Sequence, residues 1–201
     1  MQLGKLQIDP LNGGFTQMDG GAIFGVVLKP LWEREYPVND KNQVPLTTSP
    51  ILIRTEDKNI LIDTGIGKGK LTEKQLRNYG VRYESDIDAS LAQFSLTCED
   101  IDIVLMTHMH FDHAVIEIES EGEKAVHMAD ILSTTAHRNP LWVSAYDDYP
   151  MQSIREKERL TRYYVAHQYW FLFYHDVQHF AAKLSKDLKS VEASILREHV
   201  D

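Results

Sequence analysis

The sequence predicts a mixed α/β domain in which β-hairpins outnumber crossover connections. Two hairpin patterns carry that prediction. Apolar segments at 50–55 and 59–64 flank a short polar turn, and segments 115–119 and 124–130 flank a second turn at Gly122-Glu123. Stretches with helical spacing of apolar residues add the α component. Since 201 residues is the length of one domain with a sizeable core, we expect a single domain over 1–201.

The first 45 residues are expected to open with a strand and then to become irregular. Leu6-Gln7-Ile8 predicts the strand, and Gly13-Gly14 predicts a turn after it. The apolar, glycine-rich segment 20–32 fits an ordered loop with aromatic anchors better than a helix. The proline and asparagine residues of 37–45 indicate an irregular connection to the first hairpin.

The segments after the first hairpin predict a turn, a helix and a strand. The glycine-rich stretch 65–69 lacks the spacing of a phosphate-binding loop, so it predicts a tight turn that presents Asp63 near the sheet edge. Residues 86–94 have helical spacing, with Ser85 as a capping residue. The apolar run 101–106 then predicts a strand, and the longest apolar segments of the chain fit buried strands.

The C-terminal part predicts a long helix followed by strands. Residues 150–164 have a charged, helical pattern. An aromatic strand over 169–174 ends at His175-Asp176, and the tail alternates weakly, as edge strands do.

Composition and charge exclude several classes of function. Hydrophobic residues make up 43% and charged residues 25% of the chain, which is ordinary for a soluble globular protein. No apolar stretch has the length of a membrane span, and the first ten residues lack a signal-peptide pattern. A single cysteine, Cys98, fits a reducing compartment, so we expect a cytoplasmic protein without a membrane partner. A formal net charge of −9 argues against a nucleic-acid partner.

The segment Thr107–Ala114 places three histidines and a carboxylate directly after the predicted strand 101–106. Imidazole and carboxylate are ligands that zinc, iron and manganese accept. In an extended chain His108 and His110 project to the same side, so both can bind one ion. A turn that begins at Asp112 directs Asp112 and His113 toward a second position. The spacing therefore suits a binuclear metal site better than a closed structural zinc site.

The motif His108-Met109-His110-Phe111-Asp112-His113 resembles the signature of metallo-β-lactamase-fold hydrolases. Segments 61–67 and 102–107 also resemble that superfamily in sequence and in position along the chain. The likeness is greatest to the N-acyl homoserine lactonase and methyl parathion hydrolase branch. It covers most of the chain. The resemblance implies an αβ/βα sandwich, in which two mixed sheets pack together, helices flank them and the metals lie at one edge.

The resemblance also implies roles for single residues. His108 and His110 are expected to bind the first ion, and Asp112 and His113 the second. Asp130 resembles the bridging carboxylate and His175 the last ligand, while Asp63 resembles an acid that orients the ligands. His137 could orient the ligands or face the substrate. Each has a plainer alternative: Asp130 as a strand-end cap, His175 within an aromatic cluster, and His137 in a loop. Since His127 is offset by three residues from Asp130, strand alternation predicts a structural role for it.

One part of the family pattern is missing. In the family, a further histidine for the first ion lies in a long segment before the bridging aspartate, whereas only sixteen residues separate His113 from Asp130 here. Either the chain has an internal deletion, or a segment near residues 112–115 is omitted from the sequence, and we favour the omission. A Cα spacing of about 3.8 Å at every step from 111 to 116 would exclude it. If the join precedes His113, that residue belongs to the downstream strand.

The expected activity is metal-dependent hydrolysis of a lactone, such as an N-acyl homoserine lactone, which would make the protein a quorum-quenching enzyme. Two divalent ions, zinc first with iron or manganese as alternatives, would activate a bridging hydroxide, and Asp112 would orient it or transfer its proton. Phe24, Leu31 and Trp32 could line an acyl-chain pocket, although core packing explains them equally well. The aromatics of 20–32 also suit a homodimer contact.

Two alternatives remain. The same centre could hydrolyse a phosphotriester or an aryl ester. The tyrosine that some lactonases place after the bridging aspartate is absent from Ile131-Leu132-Ser133-Thr134, which weakens a direct transfer of the lactonase mechanism. If the deletion is real, the chain could instead be a non-catalytic metal-binding or interaction domain.

Overall fold

The structure is a computed structural model and describes residues 1–107 and 115–198. The strands are β1 (Gln2–Leu3), β2 (Leu6–Pro10), β3 (Phe15–Asp19), β4 (Gln43–Thr47), β5 (Ile51–Arg54), β6 (Asn59–Ile62), β7 (Val81–Tyr83), β8 (Ile103–Leu105), β9 (Ile116–Ser120), β10 (Glu123–His127), β11 (Trp170–Leu172), β12 (His179–Leu184) and β13 (Val191–Leu196). The α-helices are α1 (Gly20–Phe24), α2 (Lys29–Trp32), α3 (Glu73–Asn78), α4 (Ile87–Ala92) and α5 (Pro150–Ala166). Short 3₁₀ helices cover Cys98–Asp100, Ala129–Leu132 and Thr135–Arg138.

Two mixed sheets of five strands form the centre of the fold. The first has the order β1-β2-β5-β6-β8 and the second the order β13-β12-β11-β10-β9. Both predicted hairpins are confirmed, because β5 pairs with β6 and β9 pairs with β10 in antiparallel register. Each sheet also contains one parallel pair, β6 with β8 and β10 with β11. A third sheet, of order β4-β3-β7, is smaller.

Side-chain alternation along the strands produces the layers. Ile51 and Ile53 of β5 face the second sheet and pack with Ala125 and Leu172, whereas Leu52 faces outward and packs with Leu91 of α4. In the second sheet the outward-facing residues pack on helix α5 through Tyr164 and Val165. The order of layers is therefore helix, sheet, sheet, helix, which confirms the predicted αβ/βα sandwich.

The expectation of a loop over 20–32 is wrong, because this segment contains two short helices. The Asp19 side chain caps α1 by accepting a hydrogen bond from the Ala22 amide at 3.0 Å, and Pro30 lies in the first turn of α2. Gly20 lies against the Trp32 ring, where an added Cβ would be 2.5 Å from Cη2. Gly20 is therefore needed for close packing against Trp32 and does not indicate a loop.

Two smaller expectations also need correction. Strand β4 begins within the segment predicted to be irregular and includes Pro45, which is tolerated because β4 is an edge strand of its sheet. Helix α4 is present as predicted, but its N-cap residue is Asp86 rather than Ser85, and no side chain makes a capping hydrogen bond.

Strand β8 differs from the expectation of a buried strand. Ile103, Val104 and Leu105 are 41%, 48% and 39% exposed. Successive residues of a strand point to opposite faces, so apolar side chains are accessible on both faces of β8. The strand is the last of its sheet among the described residues and leads directly to the histidine motif. The Cα spacings that would separate a deletion from an omitted segment involve residues 111–114, which lie outside the described part of the chain.

Within the ranges 1–107 and 115–198, no helix combines the length and the hydropathy that a membrane crossing requires. The longest helix, α5, has 17 residues and carries a charged face.

Lys157 of α5 is the least expected member of the core. It is 1% exposed, and its Nζ donates a hydrogen bond to the Trp142 carbonyl at 2.5 Å. Burial lowers the pKa of Lys157 to about 7, while Asp147 acts in the opposite direction. We expect Lys157→Met to raise the free energy of unfolding at pH 6.5 by about 1–3 kcal/mol, because methionine removes the cost of burying an ammonium group.

The pH dependence supplies the check. An unfolded lysine has a pKa of about 10.4, so between pH 7 and pH 10 the unfolded state binds more protons than the folded state at this position. Stability of the wild type should therefore rise with pH over that window relative to Lys157→Met. Urea unfolding of both proteins at pH 6.5 and 9.5 measures the difference, and a variant that is less stable at pH 6.5 would contradict the expectation.

Candidate metal centre

The candidate site lies at one edge of the sandwich, where the carboxyl ends of the two parallel strand pairs meet. Asp63 follows β6 and Thr107 follows β8 in the first sheet. In the second sheet Asp130 comes three residues after the end of β10, and His175 comes three residues after the end of β11. Because parallel strands end at the same edge of their sheet, residues distant in sequence are brought together here.

Asp63 fixes the residue that immediately precedes the histidine motif. Its Oδ1 accepts a hydrogen bond from the Thr107 amide at 2.8 Å, and its Oδ2 accepts one from Thr107 Oγ1 at 2.6 Å. The Asp63 amide in turn donates to the Leu105 carbonyl at 2.8 Å. Asp63 is 6% exposed and has φ 58°, a left-handed conformation that aspartate tolerates better than most residues. The carboxylate thus sets the direction in which the chain enters the motif.

Asp130 and His175 form the second half of the site. The His175 Nε2 atom lies 3.2 Å from Asp130 Oδ1. The other ring nitrogen, Nδ1, donates to the Thr47 carbonyl at 2.8 Å, so in the neutral ring Nε2 carries the lone pair. Burial lowers the pKa of His175, but hydrogen bonding and attraction to Asp130 outweigh it and leave the pKa above the ordinary value. The sequence predicted both residues at the site, and the structure brings them into contact.

Asp176 accepts hydrogen bonds from the segments that follow Asp130 and His175. Its Oδ2 accepts hydrogen bonds from the amide and the hydroxyl of Thr135 at 2.8 and 2.7 Å. Its Oδ1 accepts from the amides of Gln178 and His179 at 2.9 and 2.8 Å. Because Asp176 follows His175 and Thr135 follows Asp130 by five residues, this buried carboxylate ties the segments of Asp130 and His175 together. Sequence reasoning did not identify this role.

His137 is buried in an aromatic cluster. Its Nε2 donates to the Ile23 carbonyl at 3.1 Å, and its Nδ1 lies 2.8 Å from Thr134 Oγ1. The ring stacks on Phe24 with centroids 4.8 Å apart. Burial lowers its pKa to about 3, so the imidazole is neutral. Both ring nitrogens are used by protein groups, and a role for His137 in orienting metal ligands remains a prediction.

The three residues predicted to line an acyl pocket differ in exposure. Phe24 and Trp32 are 0% and 1% exposed and stack on each other with centroids 4.7 Å apart. Leu31 is 51% exposed. Phe24 and Trp32 therefore pack as core residues, which is the alternative that the sequence left open, and Leu31 alone of the three is accessible.

His127 lies near Asp63 and Asp130, and the structural role expected for it stays a prediction. Strand β10 ends at His127, and Ala129 has φ 46°, so alternation does not continue to Asp130. His127 is 1% exposed, and its Nδ1 lies 3.2 Å from the Leu172 carbonyl. Burial lowers the pKa of His127, and Asp63 and Asp130 oppose that shift. No pattern in the sequence marks the left-handed residue that follows the strand.

The central motif lies outside the described residues. Residues 108–114 contain four of the six predicted metal ligands, His108, His110, Asp112 and His113. Across 1–107 and 115–198, no group of three His, Cys, Asp or Glu side chains is arranged to hold a metal ion. The described half of the site therefore consists of the anchor Asp63–Thr107 and the pair Asp130–His175.

The loop after Asp63 depends on a contact between two glycines. Gly65 has φ 74°, and an added Cβ would lie 2.5 Å from the Cα of Gly13. The Ile66 amide donates to the Gly13 carbonyl at 2.7 Å, which keeps the two loops together. We expect Gly65→Ala to lower the free energy of unfolding by about 2 kcal/mol and to weaken metal binding, because the loop that carries Asp63 must move.

Gly69→Ala is the matched control. Gly69 has φ 66°, but an added Cβ would meet no atom within 4 Å. Gly69→Ala should lower the free energy of unfolding by about 1 kcal/mol, because only the backbone conformation is disfavoured, and should leave the metal affinity unchanged. Chemical denaturation and metal titration of both variants measure the difference, and equal losses would show that the Gly13 contact is unimportant.

Comparison with known proteins agrees with this architecture. The sequence profile described as the Metallo-beta-lactamase superfamily matches residues 44–115. No curated protein matches the sequence. A solved structure of a probable metal-dependent hydrolase from Staphylococcus aureus is 46% identical, with a TM-score of 0.94 and coverage of 100% of both chains.

Two further solved structures share the fold at low identity. AidC, a dizinc quorum-quenching lactonase, is 11% identical with a TM-score of 0.76, and the hydrolase AbOPH of the beta lactamase superfamily is 14% identical with a TM-score of 0.78. Each match covers 100% of this chain and 97% of the other. From the profile match and the 46% identical relative over its full length, we conclude that the chain belongs to the metallo-β-lactamase superfamily.

Proposed function

We propose that the protein is a metal-dependent hydrolase that opens lactone rings, with N-acyl homoserine lactones as the substrate class. One observation carries the proposal: Asp63 and Thr107 fix the start of the histidine motif at the edge where Asp130 and His175 already meet. The 46% identical relative, itself a probable metal-dependent hydrolase, supports the general activity. The choice of a lactone rests on the likeness of the motifs to the lactonase branch.

The residues present fit a pair of divalent cations. His108, His110, Asp112 and His113 would supply ligands from the motif, and Asp130 and His175 would complete the set. Because His175 Nδ1 donates its proton to the Thr47 carbonyl, the lone pair of Nε2 is the one that would bind a metal ion. This is the usual arrangement of a metal-binding histidine. Nitrogen and oxygen donors of this kind accept zinc, iron and manganese. When bound, such cations supply Lewis-acid polarisation of a carbonyl group and activation of water near neutral pH.

The chain's own residues then have separate tasks. Asp63 orients the motif through Thr107, and Asp176 keeps the segments of Asp130 and His175 in register. Asp112, which precedes His113 in the motif, is proposed to orient the attacking water and to carry its proton. In the reaction, water adds across the ring C–O bond and gives a hydroxyl group and a carboxylate.

A substrate panel tests the proposal. The protein is stripped with a chelator, reloaded with zinc or manganese, and assayed on an N-acyl homoserine lactone, an aryl ester and a phosphotriester. We expect ring opening in the reloaded protein, seen as a product one water heavier than the substrate, and none in the stripped protein. His108→Ala should abolish turnover, whereas His167→Ala, an exposed residue at the end of α5, should not change it.

Each other outcome selects an alternative. Faster turnover of the phosphotriester or the aryl ester would replace the lactone as the substrate class. Metal binding without turnover of any substrate would favour a non-catalytic metal-binding domain.

A further inference from the structure

Two adjoining segments, 25–31 and 141–151, carry half of the large hydrophobic side chains that are exposed among the described residues. Fourteen such side chains are exposed there, and seven of them belong to these two segments. We call the seven together the apolar surface. They are 51–90% exposed: Val26, Leu28, Leu31, Leu141, Tyr146, Tyr149 and Met151.

Backbone contacts hold the two segments side by side. The Ala145 amide donates a hydrogen bond to the Ala22 carbonyl at 2.8 Å, just before the first segment. At Gly25 an added Cβ would lie 2.5 Å from the Val143 carbonyl oxygen, so the two segments touch there. The exposed side chains of both segments therefore belong to adjoining parts of the molecular surface.

Both segments are anchored to the core beneath them. Trp32, which follows the first segment, is 1% exposed and stacks on Phe24. In the second segment the Trp142 ring packs edge-on against the same Phe24, with centroids 5.9 Å apart. The Trp142 carbonyl also accepts the hydrogen bond from the buried Lys157. A surface that is held in place before association loses little conformational entropy when a partner covers it.

The area of the apolar surface matches that of a protein–protein interface. From their exposed fractions and sizes, the seven residues present roughly 900 Å² to solvent. The largest apolar patch on a typical monomer has about 300–600 Å². Each partner in a stable complex buries about 800 Å². The apolar surface is therefore larger than a monomer usually exposes and large enough for a stable dimer.

The charges of the two segments suit a second copy of the chain as the partner. Lys29 is the only charged residue of 25–31, whereas 141–151 contains Asp147 and Asp148 and no basic residue. In a two-fold symmetric contact, 25–31 of one copy can face 141–151 of the other, which brings opposite charges together twice. A membrane surface fits less well, because membrane-surface segments are rich in lysine and arginine and this chain has a net charge of −9.

We propose that the protein forms a two-fold symmetric homodimer through the apolar surface, with 25–31 of each copy against 141–151 of the other. The contact differs from the one expected for the aromatics of 20–32, because Phe24 and Trp32 are buried. The inference goes beyond the proposed function and does not depend on it, since none of the seven residues is a predicted metal ligand.

Sedimentation velocity of the full chain measures the association. We expect the wild type to sediment as a dimer at about 100 µM. Leu28→Asp and Tyr149→Asp should each weaken the dimer at least about 30-fold, because each places a charge in the apolar contact twice. Leu196→Asp is the matched control. Leu196 is 64% exposed, close to the 69% of Leu28, but it ends β13 outside the apolar surface, so the variant should dimerise like the wild type.

Reciprocal charge changes test whether the partner is a second copy. Lys29→Asp and Asp148→Lys should each weaken the dimer about 10-fold, because like charges then face each other on both sides of the two-fold axis. The double variant Lys29→Asp/Asp148→Lys restores opposite charges, so its dimer affinity should return to within about 3-fold of the wild type. All these substitutions are at exposed positions, so the melting temperature of the monomer should stay unchanged.

Each contrary result would overturn the inference. A wild type that stays monomeric at about 100 µM, or a dimer that is unchanged in Leu28→Asp and Tyr149→Asp, would exclude this surface as the contact. No recovery in the double variant would exclude the arrangement of 25–31 against 141–151. Binding of the monomer to phosphatidylcholine vesicles, lost in Leu28→Asp, would assign the surface to a membrane instead. None of these results bears on the hydrolase proposal.

Discussion

Asp63→Ala is expected to lower the free energy of unfolding by about 4 kcal/mol and to remove most of the metal affinity. The variant loses two hydrogen bonds from Thr107 to a buried carboxylate, each worth about 1.5–3 kcal/mol, and leaves a buried amide unsatisfied. Alanine also tolerates the backbone angle of φ 58° less well than aspartate, at a cost of about 1 kcal/mol. Metal binding falls because the motif that follows Thr107 is no longer oriented.

Asp63→Asn is the control for this variant. Asparagine tolerates the left-handed conformation and keeps one oxygen to accept from the Thr107 amide, so the loss should be about 1–2 kcal/mol. Urea unfolding of the metal-free proteins gives the stability term, and zinc titration gives the affinity. If Asp63→Ala lowers the free energy of unfolding by less than about 1 kcal/mol and binds zinc normally, Asp63 does not anchor the motif.

Asp176→Ala is expected to destabilise the protein by a similar amount, about 4 kcal/mol. The carboxylate is 1% exposed and accepts hydrogen bonds from Thr135, Gln178 and His179. Breaking a buried, charged hydrogen-bond network typically costs about 3–5 kcal/mol, because the donors are left without partners. Thr135→Val is the matched control: it removes only the hydroxyl donor to Oδ2, so the expected loss is about 1 kcal/mol. Equal losses in the two variants would contradict the central position of Asp176.

The same carboxylate predicts the response to acid. Burial raises the pKa of Asp176, but hydrogen bonds from His179 and Thr135 outweigh it, so the pKa lies below its ordinary value. The folded state therefore binds this proton more weakly than the unfolded state. The resulting stability is fully present above the unfolded pKa of about 3.9 and is lost as the pH falls through the folded pKa. Acid unfolding followed by circular dichroism should accordingly be less steep below pH 4 in Asp176→Ala than in the wild type.

The parts of the fold that the sequence predicted correctly depend on local patterns. The hairpin of β5 and β6 follows from two apolar segments around a short polar turn, and its antiparallel pairing is confirmed. Helix α5 was predicted from the charged, helical pattern of residues 150–164, and it is present. The two helices within 20–32 were missed because their apolar, glycine-rich composition resembles that of a loop. Asp19 as a cap and Pro30 in the first turn were the signals that could have identified them.

The site was only partly predictable, because its geometry depends on contacts between distant segments. Asp130 and His175 were identified by likeness to a family motif, and they are in contact. The anchor between Asp63 and Thr107 joins residues 44 positions apart, and no local pattern specifies it. Strand alternation cannot relate His127 to Asp130, because β10 ends at His127 and Ala129 is left-handed, so the structural role expected for His127 stays a prediction.

The number of metal ions bound per chain tests the central claim most directly. The wild type and a His108→Ala/His110→Ala double variant are dialysed against zinc, freed of loosely bound ions on a desalting column, and measured by elemental analysis. A two-metal hydrolytic centre predicts about two zinc ions per wild-type chain and about one or fewer in the double variant. A wild-type chain that retains no zinc, or a double variant that retains as much as the wild type, would contradict the account.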